Sequence, residues 1–563
     1  MRRQAKNGKI SAQAIAGTYV VLLGIDIDEQ WANDSGLRGF AIRRTDHTEN
    51  EPAKFLENFR RFSGFEKEPS SDVNPFQEFV WSDYTAKEDH SYTFQIVAKY
   101  GTPGQLLNGP EVSVSIDTEN SSSAAHKIYF NRGVAASQAY ARKFHNESPE
   151  KVEGGAAFRW LSRGLEEALV AFIERANSSE YELRAAVYEF KYPPVLHAFA
   201  NAAKRGADVK IIVDEKKNSK QEPRKENIEA VGEEGIADLV IPRESNPSYI
   251  AHNKFIVLRK NGKSVAVWTG STNISEGGIF GQSNVGHLVE DGSVAEAYFL
   301  LWNELSNDPE AKAVKPWNEE ATPLPDASKI PTGTLSIFSP RSSLDALEFY
   351  TECMRNAKSS VFFTAAFGIN ETFKKVLEEK TDFLRYVLLE SLFVQKGKKR
   401  EIDEDIIYLM KRDPNDRFAV GAYLKGDVLD KWLKEKLSGL NVHVRYVHTK
   451  YMLIDPLEDE SVLITGSANF SEASTTKNDE NMLVVRGDRR SADIYLTEFM
   501  RLFHHYDFRN RVYPVSPKLK REGRARTIKR GPGAPLDETD EWWKRFYVAN
   551  SPRAKERILF GPR

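Results

Sequence analysis

Short apolar, β-branched runs bounded by turn residues recur along this chain, and two of them repeat one another. Lys254-Phe-Ile-Val-Leu is followed by Ser264-Val-Ala-Val-Trp-Thr, and Lys450-Tyr-Met-Leu-Ile by Ser461-Val-Leu-Ile-Thr. Such runs belong to strands buried in a sheet, so each copy is expected to be a two-stranded unit. Upstream of the first copy, Leu183 to Phe190 reads as a strand. Leu196, Phe199, Ala200 and Ala203 then fall at helical spacing, Gly206 stands at the C′ position, and Asp208 to Asp214 returns as a parallel strand. The second copy has the same plan: strand Ser360 to Thr364, helix Glu371 to Glu379, strand Leu384 to Leu389. Each copy is followed by a helix. Ser293 and Glu296 form a capping box ahead of Ala297 to Trp302, and Ser491 to Phe503 answers it in the second copy.

The N-terminal region has a different period. Thr18 to Ile25, Leu37 to Arg44, Tyr92 to Ala98 and Glu111 to Ile116 read as strands, the last two alternating apolar and polar at period two. With Trp81 ahead of the Tyr92 strand and a Gly-Pro step ahead of the last one, the segment resembles a fibronectin type III sandwich by pattern. The expected fold class is therefore α/β, two duplicated α/β/α domains preceded by a β-sandwich. The expected division is a sandwich over 1–119, a first half over 125–307, a proline- and charge-rich linker over 308–340, a second half over 341–510, and a basic tail with a C-terminal aromatic anchor over 511–563. Trp542, Trp543, Phe546, Tyr547 and the Arg557-Ile-Leu-Phe segment read as apolar anchors that dock this tail.

Composition narrows the picture. A chain of 563 residues, 40% hydrophobic, has room for about three or four domains. Its net charge of −2 excludes a wholesale polycation, so any anion-binding surface is a local patch. The basic stretch from Arg511 to Arg530 is a candidate for one. The single cysteine, Cys353, reads as a small buried apolar residue and excludes an internal disulfide framework, which suits a reducing compartment. The apolar run after the basic N-terminus lacks a small-residue cleavage site and suits a strand, and no stretch approaches the roughly 20 apolar residues of a membrane span. A cytoplasmic location is expected.

The chemistry lies in the repeat. His252-Asn-Lys254 precedes Gly270-Ser271-Thr272-Asn273, and His448-Thr-Lys450 precedes Gly466-Ser467-Ala468-Asn469; in both copies the lysine stands 16 residues before the glycine and 19 before the asparagine. A lone His-x-Lys is usually a solvated charge beside a ring, whereas two at matching spacing, each tied to Gly-Ser-x-Asn, mark a duplicated site. Antiparallel pairing brings the start of one strand to the end of its neighbour, so histidine, lysine, serine and asparagine of each half can converge. A lysine charge and an amide donor suit a phosphate oxygen, beside which a neutral histidine is a candidate nucleophile or proton carrier.

These stretches resemble the paired His-x-Lys motifs of the phospholipase D superfamily, whose usual form adds an Asp five residues after the lysine. The second copy has it as Asp455; the first carries Arg259 at that place. Glu480, 11 residues after Asn469, looks like the family's downstream acid that orients the catalytic histidine, and Asn284 stands at the same offset from Asn273. An amide can orient an imidazole but stabilises its charge less than a carboxylate does, so the halves are not expected to be equivalent.

The resemblance implies two phospholipase D-type domains related by a pseudo-twofold axis and sharing one site. It implies a covalent phosphohistidine, with His252 as nucleophile and His448 as acid, though the fuller second motif leaves that order open. Lys254, Lys450, Asn273 and Asn469 would hold the non-bridging oxygens; Ser271, Ser467, Asp455, Glu480 and Asn284 would support them. No metal or cofactor is called for. The expected activity is a phosphodiesterase acting on nucleic acid in preference to phospholipid, with a protein partner for the N-terminal module as a further option. The alternatives are a phospholipase D acting on glycerophospholipids and a non-catalytic binding protein with a decayed first motif.

Overall fold

The computed structural model describes residues 1–121, 124–133, 137–216, 223–245, 249–366, 368–396, 399–421, 447–512 and 535–563. The N-terminal strands are β1 Arg2–Asn7, β2 Ile10–Ala16, β3 Val21–Ile27, β4 Gly39–Asp46, β5 Glu51–Phe55, β6 Val80–Asp83, β7 Ser91–Thr102 and β8 Gln105–Asp117. They make two four-stranded sheets, β1-β2-β3-β6 and β5-β4-β7-β8, whose facing side chains share one core. The period-two alternation is realised there, since Tyr92, Phe94, Ile96 and Ala98 of β7 and Val112, Val114 and Ile116 of β8 all point inward. The strand expected over Thr18 to Ile25 is β3, Val21–Ile27, and the apolar run extends upstream of it into β2. The run turns between Gly17 and Val20, where the Gly17 N–H donates to the Val20 carbonyl at 2.9 Å, and β2 and β3 pair antiparallel across the turn. An uninterrupted apolar run lines a buried hairpin as well as it lines one strand, so hydropathy does not mark the bend.

The C-terminal aromatics close on this sandwich. Trp542, Trp543 and Phe546 are buried in its core, and the Trp542 Nε1–H donates to the Leu37 carbonyl at 2.8 Å. The last helix, Pro552–Phe560, sends Phe560 into the central core, while Glu556 accepts a hydrogen bond from the Tyr386 hydroxyl at 2.9 Å. Most of the basic stretch, including Arg524, Arg526, Lys529 and Arg530, lies outside the described residues.

Two seven-stranded sheets follow. The first contains β9 His126–Phe130, β10 Tyr181–Val187, β11 Asp208–Asp214, β12 Val240–Arg243, β13 Lys254–Lys260, β14 Lys263–Gly270 and β15 Val285–Val289, in the order β12-β11-β10-β13-β14-β15-β9. The second contains β16 Gly333–Ser339, β17 Ser360–Ala365, β18 Leu384–Leu389, β21 Asp416–Val420, β22 Tyr451–Ile454, β23 Val462–Gly466 and β24 Glu480–Arg486, in the order β16-β24-β23-β22-β17-β18-β21. A small hairpin, β19 Phe393–Lys396 with β20 Lys399–Ile402, stands apart. Read from opposite ends the two orders are the same, strand for strand, and the duplication is one of architecture as well as motif.

In each half the β-helix-β unit is parallel, β10 with β11 and β17 with β18, and the motif strands pair antiparallel beside it. The helix Pro193–Lys204 ends where expected, with Gly206 at φ +95° and the Ala207 N–H reaching back to the Ala202 carbonyl. The helix after the first motif is capped differently from the expectation. Asp291, not Ser293, accepts from the N–H groups of Ser293 and Val294, and Glu296 accepts from the Ser264 hydroxyl. An aspartate two residues upstream reaches the free N–H groups of the first turn as well as a serine does. The region expected as a linker holds structure of its own: a helix, Ala311–Ala321, and strand β16, which pairs with β24 at the edge of the second sheet. Its prolines lie on either side of β16 and mask it in the pattern.

Strand parity places the cores. Phe255 and Val257 of β13 and Tyr451 and Leu453 of β22 join one central core with Tyr298 and Leu301 of helix Gly292–Leu305 and Tyr495 and Phe499 of helix Arg489–Val512. The alternate residues Ile256 and Leu258, and Met452 and Ile454, enter separate outer cores. The two sheets thus share their inner packing, which locks the halves against each other. Cys353 is buried in the second outer core, where burial pushes its thiol up to about 12.

Candidate active site

The motif residues gather where the two halves meet. Pairing of β13 with β14, and of β22 with β23, carries each His-x-Lys to the end of the strand that closes in Gly-Ser-x-Asn. Both motif glycines are required by close approach: a Cβ on Gly270 would stand 2.3 Å from the Val285 carbonyl oxygen, and one on Gly466 would stand 2.2 Å from that of Asn481. The next residue of each turn completes the ladder, Ser271 N–H to the Val285 carbonyl and Ser467 N–H to that of Asn481.

The histidines are held by groups from the opposite half. His252 Nδ1 lies 2.9 Å from Glu480 Oε1, and His448 Nδ1 lies 2.8 Å from Asn284 Oδ1. Each partner is fixed by its own half's serine: Ser467 Oγ donates to Glu480 Oε2 at 2.7 Å, and Ser271 Oγ donates to Asn284 Oδ1 at 2.8 Å. The Asn284 Nδ2 donates to the Gly278 carbonyl, which turns its oxygen toward His448. Facing acceptors, both imidazoles carry their proton on Nδ1 and leave Nε2 as the reactive atom. His448 Nε2 is buried with no partner among the described residues. The halves are also stitched beside the site, by Asp479 N–H to the Ile250 carbonyl and His448 N–H to the Ser283 carbonyl. Arg243 adds a buried clamp, pairing with Asp479 at 3.0 Å and Asp308 at 2.7 Å.

Lys254 and Lys450 repeat one contact, each Nζ donating to the carbonyl of its own histidine, at 2.8 and 2.5 Å. Burial pushes the Lys254 ammonium down to about 8, and burial together with the Lys254 charge pushes Lys450 well below its ordinary value. Both histidines are likewise held well below 6.5, by burial first and then by the lysines. Burial pushes the Glu480 carboxyl up to about 7. Two lysines and two imidazoles are buried together here, with the Glu480, Glu189 and Asp214 carboxylates close enough to act on Lys254, and a bound negatively charged group would push the lysines and imidazoles back up. Asn273 Oδ1 and Asn469 Oδ1 are buried at equivalent positions with no partner among the described residues, and a half-turn of either amide would present NH₂ donors instead.

One expected site residue lies elsewhere. Asp455 sits at the far end of β22, where its carboxylate accepts from the N–H groups of Lys358, Ser359 and Ser360 and from the Ser359 hydroxyl. Its counterpart Arg259 pairs with Glu182 at 2.8 Å and stacks on Phe299 at 3.6 Å. Each anchors the start of the neighbouring strand, β17 for Asp455 and β10 for Arg259, and neither is bonded to a histidine. Asp455→Ala is expected to cost about 3 kcal/mol by leaving buried donors unpaired, measured by urea unfolding, with turnover of the folded fraction unchanged. Lost turnover at unchanged stability would instead put Asp455 in the chemistry.

The structure adds residues that the motifs do not contain. Asp214 at the end of β11 accepts the Ala251 N–H at 2.7 Å, and Glu390, just after β18, accepts the Val447 N–H at 2.7 Å. These equivalent carboxylates fix the backbone one residue before each histidine. They are the signal that extending the repeat alignment upstream would have found. Tyr188 packs edge-on against His252 with ring centres 4.9 Å apart, and its ring faces the Lys254 ammonium at 5.4 Å. The equivalent residue in the second half is Ala366, so the asymmetry extends beyond Glu480 and Asn284. Among the described residues no group of three His, Cys, Asp or Glu side chains is placed to hold a metal ion, and no helix is long and apolar enough to cross a membrane.

Residues 172–300 and 401–503 match the family described as cardiolipin synthase, PLD-like domain. No curated protein matches the chain. Among solved structures, polyphosphate kinase from Porphyromonas gingivalis aligns over 61% of this chain and 48% of its own length, at 12% identity and TM-score 0.38. Phosphatidylserine synthase from Haemophilus influenzae Rd KW20 aligns over 61% of this chain and 85% of its own, at 10% identity and TM-score 0.41. Yeast tyrosyl-DNA phosphodiesterase aligns over 56% and 84%, at 12% identity and TM-score 0.31.

Proposed function

We propose, from the match of residues 172–300 and 401–503 to the family described as cardiolipin synthase, PLD-like domain, that the chain is a phosphodiesterase working through a covalent phosphohistidine, with nucleic acid as its substrate. The observation that carries the reading is the exchange of partners between halves, Glu480 to His252 and Asn284 to His448, which leaves two Nε2 atoms for one site with two lysines.

His252 Nε2 attacks phosphorus as the bond to the leaving oxygen breaks, and His448, which takes up a proton on Nε2 when the negative phosphate binds beside it, gives that proton to the leaving oxygen. His448 then takes a proton from water as the water attacks phosphorus, the P–N bond breaks, and His252 is restored. The carboxylate on His252 favours it as the nucleophile, because phosphorylation leaves that ring cationic and Glu480 offsets the charge. Lys254, Lys450, Asn273 and Asn469 hold the non-bridging oxygens as charge develops, a role that needs no metal. The sequence support for nucleic acid is the basic stretch between Arg511 and Arg530. The family's description favours a second reading, transfer or hydrolysis at a glycerophospholipid.

Purified protein assayed with EDTA on DNA and RNA oligonucleotides, phosphatidylcholine vesicles and a short diester, bis(p-nitrophenyl) phosphate, separates these readings. Oligonucleotide cleavage that survives EDTA is expected. Cleavage confined to lipid would replace the substrate reading, and an absolute need for added divalent ion would remove the lysine-based mechanism.

A further inference from the structure

Resting on the nucleic-acid reading above, we propose that a groove of about 520 Å³ that includes Tyr249, three residues before His252, holds the neighbouring phosphates of a single strand whose scissile phosphate lies between the two histidines. The groove is lined by Ser245, Tyr249, Lys312, Lys315, Pro316 and Ser342, among others.

Its position follows from the chain. Tyr249 is three residues before His252, so its Cα lies within about 11 Å of that residue's. The intervening backbone is tied to the second half, Ile250 N–H to Asn478 Oδ1 and Asp479 N–H to the Ile250 carbonyl. Ser342 follows Arg341, whose N–H donates to the carbonyl of Thr475, in the short helix that succeeds Asn469. The groove's lining therefore comes from residues just ahead of the first histidine, from Ser342 near the helix that follows the second motif, and from the helix Ala311–Ala321.

Its chemistry favours a polyanion. Lys312 and Lys315 are three apart on one helix and face the same side. The neighbouring acids are engaged elsewhere: Asp308 by Arg243, Asp345 by Arg341, and Glu319 by the Ser342 N–H. Glu310 also lines the groove and opposes an anion, which leaves the two lysines in excess by one charge. The Ser342 hydroxyl and the Tyr249 ring complete a surface that can meet phosphate, sugar and a base face. An acyl chain laid here would bury two ammonium groups without a partner, which disfavours a lipid tail.

The test is the double variant Lys312→Ala/Lys315→Ala, neither residue belonging to the catalytic set. On a single-stranded oligonucleotide its kcat/KM should fall about tenfold at low salt, and the slope of log affinity against log salt should flatten by about 0.7 per lysine. Turnover of bis(p-nitrophenyl) phosphate should be unchanged, which also shows that the variant is folded; Lys312→Arg/Lys315→Arg should behave as wild type. If the wild type cleaves the oligonucleotide and the alanine variant matches it in rate and salt slope, the groove proposal fails and the substrate reading stands. If the wild type turns over the short diester but neither binds nor cleaves oligonucleotides, the substrate reading fails and takes the groove with it. Loss confined to binding of vesicles containing phosphatidylserine would assign the groove to lipid headgroups and overturn it as a strand site.

Discussion

Replacing His252 or His448 with alanine is expected to lower turnover at least about 10³-fold in either case, with the unfolding transition little changed. The two rings act on one phosphorus, so neither half has an activity of its own to fall back on. The variants should differ in what they trap. With an activated diester whose leaving group needs no proton, His448→Ala should still form the phosphoenzyme but lack the base that clears it, and labelled phosphate should accumulate on His252. His252→Ala should take up no label. Substantial turnover by either variant would rule out the shared site, and label found only in His252→Ala would exchange the two roles.

A second large effect is expected at Glu480. Its carboxyl is pushed up to about 7 by burial, whereas His252 is held well below 6.5 and so is neutral across the working range. As pH falls through about 7 the carboxyl gains a proton, ceases to offset charge on His252, and kcat/KM should fall. On the other side Lys254, pushed down to about 8, loses its proton as pH rises, and with it the attraction for phosphate. The profile of kcat/KM should therefore be a bell between about 7 and about 8. Glu480→Gln keeps a hydrogen-bonding side chain but removes the titrating charge. It should lose about 10²- to 10⁴-fold in kcat, and its acid limb should no longer fall at pH 7. A variant that lost rate but kept the wild-type acid limb would show that the limb belongs to another group.

Much of the site could be read along the chain because it is carried by local spacing. Sixteen residues from lysine to glycine are enough for one strand, one turn and its antiparallel partner, so His252, Lys254, Ser271 and Asn273 are brought together by a hairpin, as are His448, Lys450, Ser467 and Asn469. The β-helix-β units and the inward parity of β7 and β8 are local in the same sense. Where hydropathy is uniform or interrupted a strand went unread, as with β2 just ahead of the β2–β3 turn and the proline-flanked strand β16.

The sequence by itself determined that each half makes a strand pair bearing histidine, lysine, serine and asparagine, and that Glu480 and Asn284 occupy equivalent places. Only the tertiary structure decided that these two cross over, Glu480 to His252 and Asn284 to His448, and that Asp455 stays at the remote end of its strand. The crossing depends on contacts more than 160 residues apart, made when the inner faces of the two sheets close on Tyr298, Tyr495 and Phe499. Spacing along a strand fixes which residues share a face, but which face meets which is settled by the packing of cores, and that is where the carboxylate found its histidine.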